Sequence, residues 1–270
     1  MAVIHLENIK KSYQRGSESD EVLHGIDLQI EKGEFVAVMG PSGSGKSTLM
    51  NLIGLLDTPS SGIYKIDGKD VSMFRDTKLA RIRRKKIGFI FQSFNLLPRL
   101  TVLDNVMLPM AYMRKSRSSR EKRASKLLKQ VGLDTHIFHA PNELSGGQMQ
   151  RVAIARSLAN RPSVVLADEP TGNLDSKTGT QIMDLLAELH KEGNTIVMVT
   201  HDTQIAEYAN RTIELVDGVI TKDTTRKSKT VSAAKTATSD ETVSEDKPQK
   251  KKSTKRSRKK KKSQKKKDSA

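Results

Sequence analysis

Near the N-terminus apolar and polar residues alternate. Val3, Ile4, Leu6 and Ile9, then Val22, Leu23, Ile26, Leu28 and Ile30, predict strands over 2–13 and 21–31, joined by the polar loop Gln14–Asp20. Four later apolar runs are short and almost unbroken: Phe35–Met39, Ile87–Gln92, Val164–Ala167 and Thr195–Thr200. Runs of that kind read as strands buried on both faces, as in parallel sheets. Helical segments separate them. One runs from Lys46 to about Leu56, where Asp57-Thr-Pro-Ser-Ser-Gly62 breaks it. Thr101 can cap a helix to about Met113, and Ser119–Val131 carries Ala124, Leu127, Leu128 and Val131 at helical spacing. Ser145 caps another to about Ala159, Ser176–Lys191 is amphipathic, and Thr203–Ala209 is short. Hairpins are expected after Ile63–Ile66 at Asp67-Gly68 and within Arg211–Thr221 at Asp217-Gly218, while Arg81–Lys86 reads as a basic patch. The pattern predicts an α/β fold with a mostly parallel sheet, an N-terminal antiparallel β subdomain and a helical subdomain inserted at about 94–144.

Composition bounds this picture. At 270 residues the chain holds one sizeable domain with a small subdomain, not two full ones. No run approaches the roughly 18 apolar residues of a membrane-spanning helix, and the N-terminal MAVIHLENIKK is no signal peptide. A protein of the cytosol, or attached to a membrane from the cytosolic side, is expected. Zero cysteines exclude disulfides and thiolate metal sites. The net charge of +17 is uneven: 222–270 hold 19 Lys+Arg against 6 Asp+Glu, and the other 221 residues 29 against 25. That tail lacks aromatics and almost all large apolar residues, so it cannot bury a core. The ordered domain is expected over 2–221 and a disordered basic tail over 222–270.

The chemistry begins after the Phe35–Met39 strand. Gly40, Pro41, Ser42, Gly43, Ser44, Gly45, Lys46 and Ser47 satisfy G-x-x-x-x-G-K-S/T, in the strand-to-helix context that motif requires, and Thr48 follows in the helix. A triphosphate needs backbone N–H groups converging on it, and glycines let a turn take that shape without a Cβ clash. The helix N-terminus adds partial positive charge. Lys46 should reach the β- and γ-phosphates, and the Ser47 hydroxyl should ligate Mg²⁺. A mere Gly/Ser linker would have no need of the lysine, the serine or the flanking strand.

Val164–Ala167 ends in Asp168 and Glu169. Carboxylates at the C-terminal edge of a buried strand stand where open α/β sheets bind ligands. Asp168 can hold Mg²⁺ there through water, and Glu169 can polarise an attacking water. A second anion site is predicted at Leu144-Ser145-Gly146-Gly147-Gln148, where two glycines follow a capping serine at a helix start. One triphosphate needs one cradle, so a spare one points to a nucleotide shared between two copies.

With these motifs in order, the chain resembles the nucleotide-binding subunit of an ATP-binding-cassette (ABC) transporter over about residues 2–221. The marks are Gly40–Thr48, Gln92, Leu144–Gln148, Val164–Asp175 and His201 after Thr195–Thr200. The resemblance implies a P-loop ATPase core using ATP and Mg²⁺. It implies that Tyr13 stacks on adenine, that Gln92 touches Mg²⁺ and the attacking water, and that His201 contacts the γ-phosphate. Asp175 would sit in a loop crossing to the other monomer. Each site would pair Lys46, Ser47, Gln92, Asp168, Glu169 and His201 of one copy with Ser145 and Gly147 of a second, in a homodimer or with a paired ABC subunit.

The membrane permease would be a separate chain, with this one on the cytoplasmic side of the cell membrane. Phe89–Pro98, Thr101–Val106 and Asp168–Asp175 resemble the lipoprotein-release and macrolide/peptide-export ATPases most closely. A soluble cassette ATPase of DNA repair or translation, or a cell-division cassette, are the alternatives. The Lys-rich tail departs from the family pattern. It could meet anionic lipid, remain a solvated tail, or bind nucleic acid, the least favoured of the three.

Overall fold

The structure, a computed structural model, describes residues 2–16 and 18–225. The first sheet is antiparallel, in the order β2-β1-β4-β5, from β1 (Ala2–Arg15), β2 (Glu18–Glu31), β4 (Ser61–Ile66) and β5 (Lys69–Asp70). The expected loop at Gln14–Asp20 is mostly ladder: pairing continues from Tyr13 opposite Asp20 to Arg15 opposite Glu18, with the turn at Gly16 (φ +63°). Beyond Tyr13 the described residues Gln14, Gly16, Ser19 and Asp20 are exposed, so they have no apolar face to maintain, and alternation disappears while the ladder persists.

The second sheet has the order β10-β9-β3-β8-β7-β6, from β3 (Phe35–Met39), β6 (Ile87–Ile90), β7 (Val164–Asp168), β8 (Ile196–Val199), β9 (Arg211–Val216) and β10 (Val219–Thr225). β9, β3, β8, β7 and β6 run parallel, and β10 closes the edge antiparallel. The period of two divides these strands between two cores. Val36, Val38, Leu166, Val197, Val199 and Ile213 pack with the antiparallel sheet and the helix α1 (Lys46–Ile53). Phe35, Ala37, Val165, Ala167, Ile196 and Met198 face the other way. There they meet α3 (Val102–Ala111), α4 (Arg117–Gln130), α5 (Gly146–Ser157) and α6 (Ser176–Lys191). Both faces are therefore covered, as unbroken apolar strands require.

Two elements differ from expectation. α1 stops at Ile53 rather than Leu56, because Leu55 takes φ +57° and leaves the right-handed helix, while Gly54 lets the turn pass the Phe89 ring, from which a Cβ would lie 2.5 Å away. The Leu56 and Asp57 N–H groups turn back to the Asn51 carbonyl. The basic patch is the end of a helix, α2 (Asp76–Lys86), which buries only Leu79 among its residues and so shows no apolar period. α3 and α5 start at their expected caps, Thr101 and Ser145, whereas Ser116 starts α4 earlier than expected. Asp175 caps α6, Asp202 caps the short α7 (Thr203–Ala206), and β10 runs past Thr221 to Thr225. The tail from 226 onward lies outside the described residues. Among the described residues no helix is long and apolar enough to cross a membrane.

Candidate active site

The phosphate loop leaves β3 under tight constraint. Gly40 has φ +154°, and a Cβ there would lie 2.0 Å from the Leu215 carbonyl oxygen of β9. Gly45, at φ +97°, would set its Cβ 2.9 Å from Leu23 of β2. Gly43 faces open space, and only its φ of +83° calls for glycine. No side chain caps α1. Its first-turn N–H groups are therefore left for an anion at the positive end of the helix. Lys46 Nζ donates to the carbonyls of Gly40 (2.9 Å) and Pro41 (2.6 Å), folding over the loop it serves. Ser44 Oγ is buried without a partner at the same place. Ser47, exposed, stands at the start of α1.

Asp168 closes β7, two strands from β3. Burial, then the neighbouring Glu169, pushes its carboxyl above the ordinary carboxylate range, while Lys46 pulls it back. Glu169 stands in the left-handed region at φ +44°. Its Oε1 lies 2.7 Å from His201 Nδ1, just past the end of β8. That hydrogen bond and the Glu169 charge hold the His201 imidazole above its ordinary pKa. Phosphate loop, carboxylates and histidine thus gather at the C-terminal ends of parallel strands. Gln92 follows β6, and its Nε2 donates to Asn173 Oδ1 (3.3 Å) while Asn173 Nδ2 donates to the Gln92 carbonyl (3.1 Å). A Cβ on Gly172 would lie 2.6 Å from Gln92 Nε2, so the amide rests against the loop after Glu169.

Tyr13 is 37 % exposed, and its hydroxyl donates to Asp57 Oδ2 (2.8 Å). The buried Lys11 donates to Asp57 Oδ1 (2.6 Å) and sits 4.7 Å from the Tyr13 ring centroid. Burial and Asp57 both push the phenol upward. The motif at 144–148 stands apart: among the described residues no hydrogen bond or ion pair joins it to the phosphate loop. Ser145 Oγ accepts from the Gln148 N–H (3.3 Å), and Gln148 Oε1 accepts from the Ser145 N–H (2.9 Å). The glycines serve packing. A Cβ on Gly147 would lie 2.4 Å from the Thr178 methyl of α6, and one on Gly146 3.2 Å from Leu174. Asp175 caps α6, accepting from the Thr178 N–H at 3.0 Å.

Several residues were not singled out from sequence: Lys11, Asp57, Asn173 and Arg156. Arg156, whose charge is disfavoured by burial, donates to the carbonyls of Phe94 and Asn95, both at positive φ, just past Gln92. It lines a groove of about 690 Å³ among α2, β6, α3 and α5, with Leu56, Arg81, Arg84, Phe89 and Tyr112. A polar residue between apolar helix positions was the available signal for Arg156; the ion pair of Lys11 with Asp57 left none.

A glycine loop, a lysine and two strand-end carboxylates on this sheet define a P-loop nucleoside triphosphatase. The ABC transporter family model matches residues 23–172, and the chain belongs to that family, as an ATP-binding ATPase. An "uncharacterized ABC transporter ATP-binding protein YknY" of Bacillus subtilis is 54 % identical over 218 residues, covering 81 % of this chain and 95 % of the relative. A "macrolide export ATP-binding/permease protein MacB" of Campylobacter fetus is 53 % identical over 84 % of this chain, which spans only 35 % of that protein's length. Among solved structures, the cassette MJ0796, dimeric and bound to ADP and Pi in a post-hydrolysis state, superposes with a TM-score of 0.76 at 48 % identity. The match covers 83 % of this chain and 99 % of that one.

Proposed function

We propose that this chain is the ATP-hydrolysing subunit of an export-type ABC transporter. It would work as a dimer on a permease carried by another chain, at the cytoplasmic side of the cell membrane. The observation that carries the proposal is the Glu169–His201 pair at 2.7 Å, set at the strand ends beside the glycine loop. Lys46 would exchange its two loop carbonyls for the β- and γ-phosphates, since those carbonyls lie within the reach of the same side chain. Glu169 would polarise the attacking water, a role worth roughly 10²–10⁴-fold in rate, with His201 holding its carboxylate and facing the γ-phosphate. Tyr13, fixed by Asp57, would present its ring to adenine.

The donors fit Mg²⁺: the Ser47 hydroxyl, the Gln92 amide oxygen and the Asp168 carboxylate are hard oxygens, and phosphate and water supply the rest for an ion of this kind. The bound ion would neutralise charge developing on the phosphates.

The dimer draws support from the dimeric relative MJ0796 and from Ser145 and Gly147 standing apart from this chain's own phosphate loop. The separate permease draws support from YknY, a relative of nearly the same extent as the matched region, and export from MacB. The permease would dock at the groove beside α2. Its rim is basic at Arg81 and Arg84, its wall is aromatic at Phe89 and Tyr112, and Arg156 joins it to the loop after Gln92.

The expected boundary at Thr221 falls inside β10, so we propose the cassette to Thr225 and the basic tail after it, with the tail meeting anionic lipid. With phosphatidylglycerol vesicles at low salt, a chain cut after Thr225 should co-sediment less than the full chain; equal sedimentation of both forms would remove the lipid role.

The test of the ATPase reading is Glu169→Gln. Turnover should drop by about 10²-fold or more while nucleotide binding is kept, and ATP-bound dimers should accumulate in size-exclusion runs. The His201 imidazole, freed of the carboxylate that raises it, should titrate lower in the variant than in the parent chain. Near-normal turnover would place the base elsewhere, and a failure to dimerise would overturn the shared site.

A further inference from the structure

Gln150 lies in the middle of α5, fully buried, with Val152, Ala153 and Ile154 following it in the core. Its Nε2 donates to the Pro170 carbonyl at 2.6 Å, and the Phe91 carbonyl lies at the outer limit, 3.5 Å. Its Oε1 has no partner. A buried amide with one end unsatisfied carries a desolvation cost, so the bond made by its other end is the reason to look at it.

The carbonyl it holds belongs to the residue directly after Glu169. Glu169 has φ +44°, a region that a side chain of this size seldom adopts and that persists only where the surroundings over-determine it. The other bonds at this turn run elsewhere. The Glu169 N–H donates to Val199 of β8 (3.0 Å), and the Gly172 N–H closes the turn on the Glu169 carbonyl (3.0 Å). Gln150 adds the tie from the helical side, and it comes from the helix that starts at Ser145.

We infer that Gln150 is a positioning residue for Glu169: its amide holds the Glu169–Pro170 turn in the left-handed conformation that brings the carboxylate to His201. The inference rests on Glu169 being the base of the reaction. It also gives α5 two duties. The same rigid helix presents Ser145 to one nucleotide and steadies the carboxylate that serves another, so displacement at its N-terminus reaches Glu169 through one hydrogen bond.

Two variants of the full chain test this. Gln150→Met keeps the length and loses the donor. We expect kcat to fall by about 10²-fold, the cost of a small misplacement of a reacting group, with the ATP Kd unchanged and the far-ultraviolet dichroism retained. In Glu169→Gln/Gln150→Met the residual turnover should equal that of Glu169→Gln alone, because a group that acts through Glu169 has nothing left to position. Multiplied losses in the double variant, or near-normal turnover in Gln150→Met while Glu169→Gln is inactive, would overturn the inference. Turnover retained by Glu169→Gln itself would instead remove the reading beneath it.

Gln150→Glu supplies a second readout that needs no apolar substitution. A protonated carboxyl can still donate to the Pro170 carbonyl, and an ionised one cannot. Its turnover should therefore fall more steeply with rising pH than that of the parent chain. Parallel pH profiles would count against the bond.

Discussion

Two helices of this chain begin in glycine, and they begin differently. α1 opens from Gly45 at φ +97° with no side chain over its N-terminus. α5 opens from Ser145 at φ −68° with a reciprocal cap, Ser145 on the Gln148 N–H and Gln148 on the Ser145 N–H. In the first, glycine is required by backbone conformation and by the close approach of β9 and β2. In the second, both glycines are ordinary helical residues, and what they avoid is a collision with Thr178 and Leu174. The same compositional cue thus has two physical causes. One builds a cradle complete within the chain. The other builds a self-capped helix end with Ser145 exposed, the end that the proposed function assigns to a nucleotide held by another copy.

The widest separation between the two sites should appear in trans. Lys46→Ala removes the cation from the cradle, and Ser145→Arg obstructs the helix end without touching the cradle. Each alone should lose turnover by about 10²-fold or more, the scale of losing a group that stabilises developing charge. Only Lys46→Ala should lose most of its ATP affinity. Mixed, the two proteins form heterodimers in which one site has an intact Lys46 and an intact facing Ser145, and activity should return. Heterodimers no more active than the separate variants would mean that the 144–148 motif does not complete a partner's site.

A smaller effect distinguishes the two kinds of glycine. Gly147→Ala places a methyl 2.4 Å from Thr178 Cγ2, an overpacking worth about 1–3 kcal/mol in denaturant unfolding. Thr178→Ser removes the obstructing methyl, so the double variant should recover most of that loss. No side-chain change should rescue Gly40→Ala, whose Cβ would meet a backbone carbonyl at 2.0 Å. Absence of recovery in Gly147→Ala/Thr178→Ser would show that the second glycine serves something other than packing.

The sequence by itself determined whatever depends on neighbours along the chain. The caps at Thr101 and Ser145, the buried strands and the phosphate loop are local, and each follows from propensity, period or backbone freedom within a few residues. It misled where local signal was weak. The ribbon at Gln14–Asp20 pairs without alternation, and α2 is a helix with one buried residue. Tertiary structure alone decided the support of the site. Gln150 meets Pro170 across 20 residues, Lys11 meets Asp57 across 46, and Gln92 meets Asn173 across 81. No periodicity marks such pairs, because each polar group is chosen by the one partner the fold brings to it once water is excluded. The candidate residues for the chemistry could be read in order along the chain; what surrounds Glu169 at φ +44° beside His201 could not, since the contacts at that turn come from α5 and β8, far away in sequence.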